Sequence, residues 1–105
     1  MTTKTIAGTE VDVNDEGFFT EPAQWTEAMA PELAAEEGID ALTDRHWDVI
    51  RFMRSEYDEK GTGPTVRILG KTSGVPVKEL YQLFPGGPAK QAAKVAGIPK
   101  PRGCI

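Results

Sequence analysis

The 105-residue chain holds one cysteine, Cys104, one residue before its end. A thiol reacts as its thiolate, so its chemistry depends on nearby charge and on access. Both can be read from the neighbours. Lys100 and Arg102 favour the thiolate, while the terminal carboxylate of Ile105 opposes it. Gly103 removes a side chain beside the sulfur and lets the backbone enter a narrow slot. Pro99-Lys100-Pro101 favours polyproline-like extension at about 3.1 Å per residue, which carries the sulfur roughly 20 Å from the last predicted helix. A thiol on a thin, stiff, basic arm suits insertion into another protein's active site. The competing reading is an incidental cysteine at an exposed chain end.

Other chemistries find less support. A single thiol forbids an internal disulfide and a cysteine-based zinc site. His46, the only histidine, has no carboxylate pair at ligand spacing, so its expected role is structural and no metal site is expected. Gly86-Gly87 lies between prolines without the Gly-x-x-x-x-Gly-Lys-Ser/Thr context of a phosphate loop, and reads as a turn. No serine stands in a nucleophile elbow.

The elements that must position Cys104 are mostly helical. Residues 3–19 read as a β-hairpin, with Lys4-Thr5-Ile6 and Val11-Asp12-Val13 alternating around Ala7-Gly8-Thr9. Over residues 21–37 a stripe of Trp25, Ala28, Met29, Leu33 and Ala34 predicts a helix, kinked or restarted at Pro31 and ended by Gly38. Thr43 is a good N-cap for a helix over residues 44–60. The apolar face of that helix is Trp47, Ile50, Met53 (or Arg54) and Tyr57, widened by Val49 and Phe52. Two short helices, residues 65–71 and 75–84, flank Thr72-Ser73-Gly74 in the outline of a helix-turn-helix. A last helix over residues 89–96 ends at Gly97. The aromatic residues Trp25, Trp47, Phe52, Tyr57, Tyr81 and Phe84 fall on these helices and are most simply core. The fold class is therefore mostly α (α+β): one domain over residues 1–105, with a hairpin at 1–19, a helical core at 20–96 and a mobile C-terminal arm at 97–105.

Hydrophobic residues make up 39% and charged residues 27% of the chain, as in ordinary globular proteins. No apolar run approaches the ~20 residues of a bilayer span, so no membrane insertion is expected. Met1-Thr2-Thr3-Lys4 lacks the start of a secretory signal, and the cytoplasm is the expected compartment. The net charge of −4 combines −11 over residues 1–59 with +7 over residues 60–105. Such a dipole steers an approach to an anionic partner, unless the two halves interleave in space. DNA is not the expected partner. The second helix of the helix-turn-helix offers only Lys78 and Gln82 as donors, where a recognition helix needs several.

The ending carries a resemblance. Residues 83–92 (Leu-Phe-Pro-Gly-Gly-Pro-Ala-Lys-Gln-Ala), 94–101 (Lys-Val-Ala-Gly-Ile-Pro-Lys-Pro) and Gly103-Cys104-Ile105 closely resemble the DsrC/TusE family of sulfur-carrier proteins. His46-Trp47-Asp48-Val49-Ile50-Arg51-Phe52, Pro64-Thr65-Val66-Arg67-Ile68-Leu69, Asp15-Glu16-Gly17-Phe18 and Gln24-Trp25 extend the likeness over essentially the whole chain. The resemblance implies that Cys104 bears sulfur as a persulfide, with no other cofactor, and that Pro99, Lys100, Pro101, Arg102 and Gly103 present it to partners. In the DsrC branch a second arm cysteine lies eleven positions upstream, where this chain has Ala93. No disulfide or trisulfide can then form within one chain.

Three functional readings follow. The first is a single-cysteine relay of the TusE kind, between a sulfurtransferase donor (Tus or DsrEFH type) and an acceptor such as a tRNA thiouridylase or a heterodisulfide-reductase-like complex. The second is a DsrC partner of dissimilatory sulfite reductase whose second arm cysteine has been replaced by Ala93. The third, from a different class, is a helix-turn-helix DNA regulator. A monomer is expected, with a disulfide dimer through Cys104 forming in air.

Overall fold

A computed structural model describes residues 2–101. Strands β1 (Thr2–Ile6) and β2 (Thr9–Val13) form the antiparallel hairpin, with Ile6 opposite Thr9. Its two-residue turn is Ala7-Gly8, and both residues have positive φ, 49° and 79°. That is the turn twist matched to right-handed strands. The chain then returns through Asn14, whose side chain accepts from the backbone of Glu16 and Phe18, and Phe19 bridges back to Val13.

The second predicted element differs in extent. Pro22–Gln24 forms one 3-10 turn, Trp25 is extended (φ −73°, ψ 140°), and helix α1 runs only over Met29–Glu36. Pro31 sits in its first turn, where the N–H that proline lacks would have had no helical partner. Trp25 is thus not on a helix. Its indole is drawn across to the last helix instead, as described below. Gly38 ends α1 at φ 82°, with Ile39 N–H donating to the Ala34 carbonyl.

Helix α2 covers Asp44–Lys60, as predicted, with Thr43 as N-cap. The cap is reciprocal: the Thr43 hydroxyl accepts from His46 N–H, and His46 Nδ1 accepts from Thr43 N–H at 3.0 Å. Nε2 consequently carries the hydrogen and donates to the Leu83 carbonyl at 2.9 Å. His46, 7% exposed, ties the start of α2 to the Leu83 carbonyl, the structural role expected of it.

Helices α3 (Val66–Thr72) and α4 (Val77–Leu83) form the helix-turn-helix, and α5 (Pro88–Ala96) closes the bundle. Among the described residues the architecture is five α-helices and one hairpin. The α3–α4 crossing is close at Gly70, where a Cβ would stand 2.3 Å from Val77 Cγ2. Arg45 on α2 grips Glu79 on α4 through Nε at 2.8 Å and Nη2 at 2.7 Å.

The Arg45 hydrogen bonds hold the Glu79 carboxyl below the ordinary carboxylate range, against a smaller opposing effect of desolvation. A depressed folded pKa contributes stability above the unfolded value, lost as pH falls through the folded one. Glu79→Gln is therefore expected to lower the melting temperature slightly at about pH 7. The difference should shrink as pH falls from the ordinary carboxylate range through the lowered Glu79 value in circular-dichroism melts. A difference that persisted at low pH would assign the effect to packing instead.

The core has two parts. Phe18, Ile50, Met53, Leu69, Leu80, Phe84, Ala92, Ala96 and Ile98 belong to the main cluster between α2 and α5. Ile6, Val11, Val13, Phe19, Met29 and Leu33 seal the hairpin onto α1, and Trp25 packs against both clusters. Tyr81 departs from its core assignment. It is 51% exposed, and Val77 and Ile68 on the helix-turn-helix are also exposed, at 42% and 38%. A seven-residue helix packed on one side leaves its opposite face to solvent.

Candidate functional site

Cys104, Arg102 and Gly103 lie outside the described residues, and the site is built from what holds the chain just before them. Helix α5 is set by Pro88 in its first turn and by Gln91, whose side-chain carbonyl accepts from Gly86 N–H while its amide donates to the Glu37 carbonyl. Gly97 ends the helix in the left-handed region, φ 68°, and Ile98 N–H donates back to the Ala93 carbonyl at 3.1 Å. Only a residue without a side chain fits there, since a Cβ on Gly97 would stand 2.2 Å from Trp25 Cδ1.

Trp25 and Arg54 lock this turn from beneath. The indole N–H donates to the Val95 carbonyl at 2.9 Å. The Arg54 guanidinium lies 4.4 Å over the same ring and donates to the Ala96 carbonyl at 2.7 Å and the Pro22 carbonyl at 3.0 Å. Burial lowers the Arg54 pKa, with Asp58 opposing the shift. One cation on α2 therefore ties two backbone segments, at Pro22 and at Ala96, against a π face.

The first residues of the arm are seated on the body. Ile98 is fully buried and Pro101 is buried as well. Both lie against Gly63, where a Cβ would meet Ile98 Cδ1 at 2.8 Å and Pro101 Cγ at 3.3 Å. Lys100 reaches the Glu16 carboxylate at 3.2 Å, and Pro99 is half-buried. Residues 98–101 are neither helix nor strand, as two prolines in four residues dictate. The stretch nevertheless follows the protein surface from Gly97 to Pro101 instead of projecting from α5. Ala93 is fully buried on the inner face of α5.

Beside Glu16 a polar cavity of about 200 Å³ is lined by Lys4, Leu33, Glu36, Glu37 and Lys94. Its charges are matched: Lys4 pairs with Glu36, and Lys94 lies 3.7 Å from Glu37 and 5.2 Å over the Phe18 ring. The described residues contain no group of three or more His, Cys, Asp or Glu placed to hold a metal ion. They contain no helix long and apolar enough to cross a membrane.

Sequence reasoning found the arm and missed its anchorage. In the sequence Arg54 stands only as an alternative to Met53 on the apolar stripe of α2, and a cation on that stripe is the one legible signal. Gly63 read as a chain break and Glu16 as a turn residue. Neither has a periodicity that points to a partner 35 or more positions away.

The family model described as DsrC like protein matches residues 5–105. The sulfurtransferase TusE of Yersinia pseudotuberculosis is 46% identical over 105 residues, covering 93% of this chain and 96% of that protein. The crystal structure of dissimilatory sulfite reductase I (DsrI) superposes with a TM-score of 0.87 at 38% identity, over 99% of this chain and 100% of that one. The solution structure of Allochromatium vinosum DsrC gives 0.80 at 39% identity, over 98% of this chain and 97% of that one.

Proposed function

The chain belongs to the DsrC/TusE family and functions as a sulfur carrier of that family, and we propose that Cys104 is the residue that bears the sulfur. The observation that carries this reading is the extent of the family match. It runs through residue 105 and so takes in the Gly103-Cys104-Ile105 end, which holds the only thiol of the chain.

The chemistry is one exchange performed twice. The Cys104 thiolate attacks the outer sulfur of a donor persulfide. The donor's S–S bond breaks, the donor cysteine leaves as thiolate, and Cys104 becomes Cys104–S–SH. The transferred sulfur keeps its proton and no external oxidant or reductant is consumed. A partner thiolate then takes the same atom from Cys104 by the same route. Rate follows thiolate fraction and access, which Arg102 and Lys100 favour electrostatically and Gly103 favours sterically. The protein acts here as a co-substrate of its partners and not as an independent catalyst.

The relay of the TusE kind is the favoured form, because identity to the TusE of Yersinia pseudotuberculosis, 46%, exceeds the 38% to the DsrI chain. The donor would be a sulfurtransferase of the Tus or DsrEFH type, and the acceptor a tRNA-thiolating enzyme, both in the cytoplasm. A sulfite-reductase partnership is the second reading, favoured by the TM-score of 0.87 to DsrI. Ala93 weighs against it, since a one-cysteine chain closes no disulfide or trisulfide within itself. DNA binding is disfavoured by the exposed apolar Val77 and Tyr81 on α4.

The test is intact mass of the reduced chain after exposure to a persulfidated sulfurtransferase. A gain of one or more sulfur atoms, mapped to the C-terminal peptide and removed by reductant, is expected. Absence of any gain from donors of both the Tus and DsrEFH types would overturn the reading.

A further inference from the structure

We propose that the arm is clasped at its root, so that the reach of the Cys104 sulfur is measured from Pro101 and not from the end of α5, with Gly63, Glu16, Arg54 and Trp25 as positioning residues. The proposal rests on the reading of Cys104 as the carrier and concerns what decides how deep a partner's sulfur site can lie. Three independent contacts make the clasp. Arg54, backed by Trp25, holds the Ala96 carbonyl at 2.7 Å. Gly63 leaves an open seat that Ile98 and Pro101 fill. Glu16 holds Lys100 at 3.2 Å.

The consequence is geometric. Cys104 lies seven positions after Gly97, at most about 24 Å along a fully extended chain, but only three positions after Pro101, about 10 Å. With the clasp closed, the sulfur serves an acceptor whose reacting thiol lies within about that shorter distance of the docking surface. A deeper site is reached only after the root is peeled from the body.

The clasp is built to open from its outer end. The Lys100–Glu16 pair is exposed, at 40% and 49%, and such pairs are weak and screened by salt. Ile98, fully buried, is the stronger anchor. Pro99 and Pro101 carry no backbone N–H, so peeling them strands no donor. A partner that competes for Lys100 or covers Glu16 would therefore lengthen the arm by stages.

The test uses the full chain labelled with nitrogen-15 and reads backbone order parameters at Ile98 and Lys100, the two non-proline residues of the root. Both are expected near ~0.85, the value of rigid backbone. Gly63 precedes Pro64, a position that favours the extended backbone valine accepts, so Gly63→Val fills the seat without backbone strain. In that variant the Lys100 order parameter is expected below ~0.6, with α2 unchanged. Glu16→Gln, which leaves the core untouched, should lower Lys100 alone and by less, as should about 1 M salt on the native chain. A native Lys100 already below ~0.6, or no response to any of these changes, overturns the clasp.

The positioning role has its own readout. Delivery from loaded Cys104 to a protein acceptor should show KM changed at least threefold in Gly63→Val, while delivery to a small thiol is unchanged. Equal KM values overturn that role. Failure of the native chain to load sulfur at all would instead overturn the carrier assignment, and the order parameters would still report on the clasp.

Discussion

Cys104→Ser is expected to abolish sulfur loading and delivery completely while the protein keeps its fold. The two halves of that expectation have different physical origins. A serine hydroxyl is not ionised at neutral pH and forms no persulfide, so neither exchange step has a nucleophile or a carrier atom. Stability is a separate matter, because thiol-to-hydroxyl replacement changes one atom of one side chain, three positions beyond Pro101. Substitutions away from packed features stay within about 0.5 kcal/mol, which for a domain of this size shifts the melting temperature by less than about 4 °C. Intact mass after treatment with a persulfidated donor, beside a circular-dichroism melt, measures both halves. A serine variant that still gained sulfur would transfer the role to some other group and end the carrier model. A variant that lost the fold would show that the chain end is part of the core.

The second large effect is expected at Gly97. Valine there must adopt φ near 68°, a region that costs a β-branched residue about 1–3 kcal/mol. Its Cβ would also stand 2.2 Å from Trp25 Cδ1 and 2.4 Å from Cγ, so the indole has to leave. The Trp25 bond to the Val95 carbonyl and the platform beneath Arg54 leave with it. Overpacking of this kind adds about 1–3 kcal/mol, for a total of about 2–6 kcal/mol. The melting temperature should fall by more than about 8 °C, at about 4–8 °C per kcal/mol in a small domain. Pairing Gly97→Ala with Trp25→Leu separates the two contributions. The double variant should recover the steric part and retain the backbone part. A Gly97→Val chain melting within about 4 °C of the native one would mean that the turn ending α5 does not hold the arm root.

Much of this protein was legible locally. The hairpin followed from alternation and from Gly8 in its turn, and α2 from the Thr43 cap and an apolar stripe of helical period. The ends of α1 and α5 followed from Gly38 and Gly97, because a left-handed residue closes a helix whatever surrounds it. The sulfur-carrier family followed from the Pro-Lys-Pro-x-x-Cys-x ending together with motifs spread along the chain. Each of these signals acts within a few residues, so composition and spacing are enough to read it.

The failures share the opposite property. Trp25 fitted the predicted stripe of residues 21–37, yet its indole bonds a carbonyl 70 positions away and its backbone is extended to reach it. Tyr81 falls on a predicted helix and reads as core, yet on α4 it is 51% exposed. Sequence by itself determined that a lone basic-flanked thiol ends a mostly helical domain of the DsrC/TusE family. Only the tertiary structure decided that residues 95–101 are seated on the body. That seating depends on Glu16, Trp25, Arg54 and Gly63 meeting residues 95–101 across 35 to 84 positions of chain. Contacts over such separations are set by how whole elements pack and leave no period in the sequence to be read.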